Sequence, residues 1–165
     1  MEKCDVVNEF GARTGRVVTR GTQLGPGEYY LVVHVWIRDE QGHYLIQQRA
    51  PHLLSGPNVW ATTVGYVLAG EESIRGAIRE VQEELGLELS PTQMQRVDQL
   101  IFENRVEDIW LVDVVQSLLG APVLGPEVSD LKWVSRGALG HMVTQKTFFA
   151  YSYIDEILKK QPFST

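Results

Sequence analysis

Glu80, Glu83 and Glu84 stand at i, i+3 and i+4. On a helix of about 3.6 residues per turn their side chains project together as one carboxylate cluster. Like charges at this spacing destabilise an isolated helix, and no lysine or arginine is expected inside the cluster to offset them. A hard cation would do so. Mg²⁺ takes one or two carboxylates, keeps several waters and completes its shell with phosphate oxygens; an ordinary solvated acidic face is the competing reading. Ile74, Ala77, Ile78, Val81 and Leu85 fall on an adjacent stripe, so one face of the helix docks on a core while its neighbour holds acid. Gly65 and Gly70 suit a tight loop leading in, Glu71 and Glu72 stand where negative charge complements a helix dipole, and Gly86 is placed as a helix stop.

Gly65, five residues, Glu71, seven residues and then Arg79 to Leu87 resemble the Nudix box, G-x5-E-x7-R-E-U-x-E-E-x-G-U with U aliphatic, at every fixed position. The flanks extend the likeness: Tyr44 to Arg49 resembles the strand ahead of the box, and Asn58-Val59-Trp60 the approach to it. The resemblance implies an α/β/α sandwich with a mixed β-sheet. It also implies Mg²⁺-dependent hydrolysis, with Mn²⁺ as a substitute, of a diphosphate linked to a moiety X, nucleoside or other. Metal ligands would be Glu80, Glu83 and Glu84 with a backbone carbonyl near Val64 or Gly65. Gly65, Glu71 and Gly86 would be the structural positions of the box. Arg79 would tie the loop to the helix and orient a carboxylate, the alternative being a surface ion pair worth under about 1 kcal/mol. Nudix enzymes often add a loop carboxylate, and Glu127 in its Gly/Pro loop is the candidate, with Glu103 and Asp108 as rivals. Glu80, Glu83 and Glu127 stay open as the general base. A carboxylate beside a bound cation should keep a depressed pKa.

Other residues carry two readings each. Arg49 ends the strand leading to the box loop and either grips phosphate or is a solvated strand end. With Gly65 and Tyr66 it makes up the expected substrate-binding set. Trp36, Tyr66, Trp110 and Phe148 could stack a base or fill the core, and His34 is either a satisfied core histidine or a ligand.

A rival chemistry comes from the segment Gly27 to Trp36 behind an N-terminal hairpin, which looks like the Nudix proteins related to isopentenyl diphosphate isomerase. That reaction, as the resemblance implies, uses a cysteine and a histidine beside the glycine opening the box. Here the stretch reads Thr63-Val64-Gly65-Tyr66, and the single cysteine is Cys4. Hydrolysis is therefore the preferred reaction, with isomerisation or a non-catalytic ligand-binding module of the same fold as alternatives.

The elements that must position these groups read as one domain over 1–165, with 1–28 as a hairpin arm packed on it. A hairpin spans residues 5–20 with its turn at Asn8 to Gly11. Strands follow at Tyr30 to Arg38, His43 to Arg49, Val97 to Glu103, Val106 to Gln116 and Val128 to Val134, and a helix at Lys146 to Lys160 buries Phe149, Tyr153, Ile157 or their neighbours. A net charge of −6 argues against general nucleic-acid binding. No membrane span or apolar leader is read, and a lone cysteine suits a reducing compartment, so the expected setting is the cytoplasm. The expected partner is a small-molecule diphosphate, with a homodimer left open.

Overall fold

A computed structural model describes residues 1–160; the end of the expected 1–165 domain, residues 161–165, lies outside the described residues. The expected hairpin is present as β1 (Lys3–Val7) and β2 (Arg13–Thr19), antiparallel. Asn8 closes it, its Oδ1 accepting from the backbone N–H of Phe10 and of Ala12. β3 (Tyr30–Arg38) then turns at Asp39, whose Oδ1 accepts from the N–H of Gln41 and His43, into β4 (Tyr44–Arg49). The remaining strands and α-helices are β5 (Trp60–Ala61), β6 (Thr63–Tyr66), α1 (Ser73–Leu85), β7 (Met94–Phe102), β8 (Arg105–Asp113), β9 (Val128–Val134), α2 (Arg136–Thr144) and α3 (Ile154–Lys159).

Seven of the strands form one mixed sheet in the order β5-β4-β3-β8-β7, with β6 also paired to β3 and β9 to β4. β3 runs parallel to β8 along its whole length, and the other pairs are antiparallel. A strand buried on both faces reads as a nearly continuous apolar run, and Tyr30 to Ile37 is such a run, broken only by His34. Val33, Val35 and Ile37 pack with Ala77, Val81 and Leu85 of α1, whereas Trp36 packs with Leu139 of α2 and Ile154 and Ile157 of α3. The result is the expected α/β/α sandwich, each fully buried aliphatic side chain contributing about 1.5–3 kcal/mol. Among the described residues no helix is long and apolar enough to cross a membrane.

The C-terminal third departs from the sequence reading. No helix covers Lys146 to Tyr153: Lys146 has a left-handed φ of 61°, Phe148 bridges Trp60, and the Phe149 N–H donates to the Trp60 carbonyl at 2.8 Å. This aromatic stretch gives its backbone groups to the short edge strand β5, so helix begins only at Ile154. Tyr153 and Ile157 are buried as expected, but Phe149 is exposed. α2 was not foreseen. Gly137 and Gly140 lower its intrinsic propensity, and what holds it is Ser135, which accepts from the Ala138 N–H, together with the fully buried Leu139.

Candidate active site

α1 is placed by its two ends. Its apolar stripe lies on the sheet, and it stops at Gly86, whose φ of 67° and N–H bond to the Gln82 carbonyl form a left-handed cap. A side chain at Gly86 would also strike the Val123 backbone, because the 120–127 loop is laid along the last turn: the N–H groups of Val123 and Gly125 donate to the carbonyls of Leu85 and Glu84 at 2.8 and 2.9 Å. These bonds satisfy helix-end acceptors and carry Glu127 to the same end of the helix as Glu83 and Glu84.

Arg79 sits at the junction of the loop and the helix. It is mostly buried and donates Nε and Nη2 to the two oxygens of Glu71 at 2.8 and 3.1 Å, Nη2 to the Tyr66 carbonyl at 2.9 Å, and Nη1 to Glu80 and Glu83 at 2.9 and 3.2 Å. One guanidinium therefore ties the loop before α1 to the acidic face. It also corrects the expectation of a cluster without a counter-charge, since the long Arg79 side chain reaches both neighbours on its own helix. Burial would raise the Glu71 carboxyl, but Arg79 and the Leu68 N–H outweigh it and hold Glu71 below the ordinary range.

The acidic face is only partly neutralised. Burial pushes the Glu80 carboxyl up to about 7, although Arg79 pulls the other way. Glu84 is pushed up to about 8, again by burial, with the Gln47 amide opposing and the charges of Glu80 and Glu127 adding to the rise. Gln47 Nε2 donates to Glu84 at 2.7 Å, and the Thr63 hydroxyl donates to Gln47 Oε1 at 3.0 Å, so a buried chain from β4 and β6 fixes this carboxylate. Gly65 gives Glu80 its place: a Cβ there would overlap the Glu80 carboxyl. Glu80, Glu83, Glu84 and Glu127 line one cleft of about 190 Å³, together with Glu2 and Arg20 from the open end of the N-terminal hairpin. A larger cavity of about 360 Å³ lies toward the other end of α1, against the hairpin tip and β7, and none of these four carboxylates opens onto it.

The other expected residues divide clearly. Of the three loop candidates only Glu127 lines the cleft; Glu103 sits in the exposed β7–β8 turn, and Asp108 is buried against Gln99 and Arg96. Arg49 donates Nε and Nη2 to the carbonyls of Ser55 and Gly56, pinning the 51–57 loop. Tyr66 gives its carbonyl to Arg79, while its ring packs edge-on to Tyr30 under Arg20. Trp36, Trp110 and Phe148 are core residues, and His34 is a satisfied core histidine on the sheet face opposite α1, held by the Tyr153 hydroxyl and the Glu107 carboxylate. The sequence reading missed Gln47, Thr63, Glu2 and Arg20. A polar residue at an inward position of β4 marks Gln47; nothing local marks the hairpin pair, which joins the cleft through tertiary packing.

The donor set fits a divalent cation. All side-chain candidates are oxygens, as Mg²⁺ and Mn²⁺ prefer. Burial holds two of the carboxyls above their ordinary pKa, favouring their neutral forms until a counter-charge is near. Among the described residues no three His, Cys, Asp or Glu side chains converge closely enough to hold a metal ion as the chain stands.

Comparison with known proteins agrees with this geometry. The family model for the NUDIX domain matches residues 28–157. An uncharacterised Nudix hydrolase of Listeria monocytogenes is 32% identical over 166 residues, covering 100% of this chain and 98% of that protein. An isopentenyl-diphosphate Delta-isomerase of Streptomyces avermitilis is 31% identical over 155 residues, covering 89% of this chain and 78% of its own. A crystal structure of a Deinococcus radiodurans protein superposes with a TM-score of 0.72 at 21% identity, covering 96% of this chain and 98% of that one, a likeness of fold. With the box intact, its arginine network assembled and the sandwich in place, the chain belongs to the Nudix family and is a Nudix-type hydrolase.

Proposed function

We propose that the chain, acting as one unit, is a cytoplasmic Mg²⁺-dependent hydrolase of the phosphoanhydride in a small organic diphosphate, nucleoside or other, linked to a moiety X. The observation that carries this reading is the single cleft shared by Glu80, Glu83, Glu84 and Glu127. Glu80, Glu83 and Glu84 would hold the cation, which when bound would neutralise the diphosphate and lower the pKa of an attacking water. Arg79 fixes Glu80 and Glu83 at the cleft wall, and Gln47 fixes Glu84. Glu127 takes the proton. Its carboxylate has no side-chain partner among the described residues and lines the cleft from the loop laid along the end of α1, whereas Arg79 and Gln47 already engage the helix carboxylates. In the reaction the water oxygen bonds to one phosphorus, the bridging P–O bond breaks, and the bridging oxygen leaves with the other phosphate.

Likeness to the isomerases favours a second reading, isomerisation of an allylic diphosphate. The fold brings Cys4 closer than sequence distance suggests, into the cluster with Tyr30 and Tyr66. It is nevertheless fully buried, and burial pushes its thiol up, which disfavours the nucleophilic thiolate. The test is to incubate the protein with a panel of diphosphates and follow products by mass spectrometry: hydrolysis adds the mass of water, isomerisation leaves mass unchanged. Water addition is expected, abolished by EDTA, restored by Mg²⁺ or Mn²⁺, and retained in Cys4→Ala. Full turnover without metal, or an unchanged-mass product lost in Cys4→Ala, would overturn the reading.

A further inference from the structure

The N-terminal hairpin precedes the matched family residues, 28–157, yet it reaches the cleft. The Arg20 N–H donates to the Glu2 carbonyl at 2.9 Å, so the open end of the hairpin presents these two residues side by side. Their side chains pair at 3.0 Å, and both line the cleft. The hairpin is anchored behind them by Cys4, Val6 and Val18, which pack with Tyr30 and Tyr66. The Arg20 guanidinium lies 4.2 Å from the centroid of the Tyr66 ring, one residue beyond Gly65, the glycine that makes room for Glu80.

Among the described residues lining the cleft, Arg20 is the one cation facing five glutamates. An anionic substrate entering this wall needs a cation not already committed. Arg79 is committed, its donors spent on Glu71, Glu80, Glu83 and the Tyr66 carbonyl. Arg20 has one carboxylate partner, and its side chain is 51% exposed. A guanidinium fork that accepts a carboxylate also matches two oxygens of a phosphate.

Building on the diphosphate reading above, we propose that Arg20 is a substrate-binding residue. Its guanidinium exchanges Glu2 for oxygens of the substrate diphosphate, Glu2 standing in for that anion in the ligand-free chain, so that the hairpin outside the family-wide segment completes the site.

The experiment is calorimetric titration of methylenediphosphonate in Mg²⁺, a diphosphate mimic without a hydrolysable bridge, into wild type, Arg20→Ala, Arg20→Lys, Glu2→Gln and Arg16→Ala. Arg16 pairs with Glu28 on the same hairpin and does not line the cleft, which makes Arg16→Ala the control. Losing a charge-assisted contact is expected to raise Kd about 10- to 100-fold in Arg20→Ala. Arg20→Lys should recover part of that, since lysine keeps the charge and loses the fork. Removing the internal competitor should tighten binding about 2- to 10-fold in Glu2→Gln, and Arg16→Ala should match wild type. In steady state on any hydrolysed diphosphate, Arg20→Ala should raise KM far more than it lowers kcat. The Arg20–Glu2 pair is exposed, so melting temperature should hardly move and misfolding is separable from lost affinity. Arg20→Ala binding like wild type, or Glu2→Gln binding more weakly, overturns the proposal. If wild type hydrolyses diphosphates and Arg20→Ala keeps the same KM, only this inference falls. If no diphosphate is hydrolysed but the mimic binds through Arg20, the hydrolase reading falls and this one stands.

Discussion

The carboxylates in the cleft are held differently, Glu80 and Glu83 by Arg79, Glu84 by Gln47 and Glu127 by no side chain among the described residues, and single substitutions should separate their roles. Glu84 is held by Gln47 and kept above its ordinary pKa by burial, so in the proposed site it is the ligand whose charge costs stability when the cation is absent. Glu84→Gln keeps its length and an acceptor for Gln47. It should leave the metal-free melting temperature equal or slightly raised, shrink the rise on adding Mg²⁺, and lower kcat. Glu127→Gln should do the opposite: a loss on the order of 10²–10⁴ in kcat, the usual contribution of positioned proton transfer, with the Mg²⁺-induced melting shift preserved. Melting curves with and without Mg²⁺ beside kcat for both variants decide the assignment. An undiminished Mg²⁺ shift in Glu84→Gln would move the metal elsewhere, and less than about a threefold loss in Glu127→Gln would return Glu127 to the solvated loop, where substitutions rarely matter.

At the scale of elements, β6 and α1 act as one device because Gly65 lets the strand pass directly beneath Glu80. Gly65→Ala should therefore displace a side chain rather than break the fold, since the atoms a Cβ would meet belong to the Glu80 side chain and not to backbone. We expect a small change in melting temperature, a weakened Mg²⁺ response and a large drop in turnover; a variant with native Mg²⁺ affinity would show that Glu80 has another place to stand. The logic of this device was legible from the sequence, because the box glutamates, Arg79, Gly65 and Gly86 are local in the chain and obey helical spacing. β3 and β9 were legible by the same local rules, each strand matching its run of strand-forming residues. Contacts that close over long separations were not legible: Gln47 on Glu84, Arg20 on Tyr66, and the 120–127 loop along the end of α1 all depend on how the sandwich folds back on itself. The C-terminal error has the same origin, since Phe148 and Phe149 bond to β5 instead of continuing a helix. α2 was hidden by its glycines and is held by Leu139 in the core.

Over the whole molecule the buried carboxyls couple folding to protons and, in the proposed site, to metal. In the metal-free chain Glu80 and Glu84 have folded-state values of about 7 and about 8, above the ordinary 4.5 they regain on unfolding. The folded chain thus keeps protons that the unfolded chain has released, and the stability these groups contribute falls as pH rises from about 4.5 through 7 and 8. Four other carboxyls act in the opposite sense. Backbone N–H groups of Gly25 and Gln116 lower Glu28 and Glu40, and, against burial, Arg79 lowers Glu71 and His34 lowers Glu107, so their contribution is lost only as pH falls below about 4.5. Metal-free stability should therefore peak near pH 5 and decline toward pH 8, by on the order of a few kcal/mol if the burial of both glutamates persists. In the proposed site Mg²⁺ needs these carboxylates ionised, so protons compete with it strongly at pH 5 and much less at pH 8, where Glu80 is largely ionised and Glu84 partly so. The melting shift on adding millimolar Mg²⁺ should accordingly be small near pH 5 and grow steadily to pH 8, offsetting much of the metal-free decline. Scanning calorimetry across that range, in EDTA and in Mg²⁺, measures both curves; parallel curves with no pH-dependent gap would mean that the cation does not bind through Glu80 and Glu84.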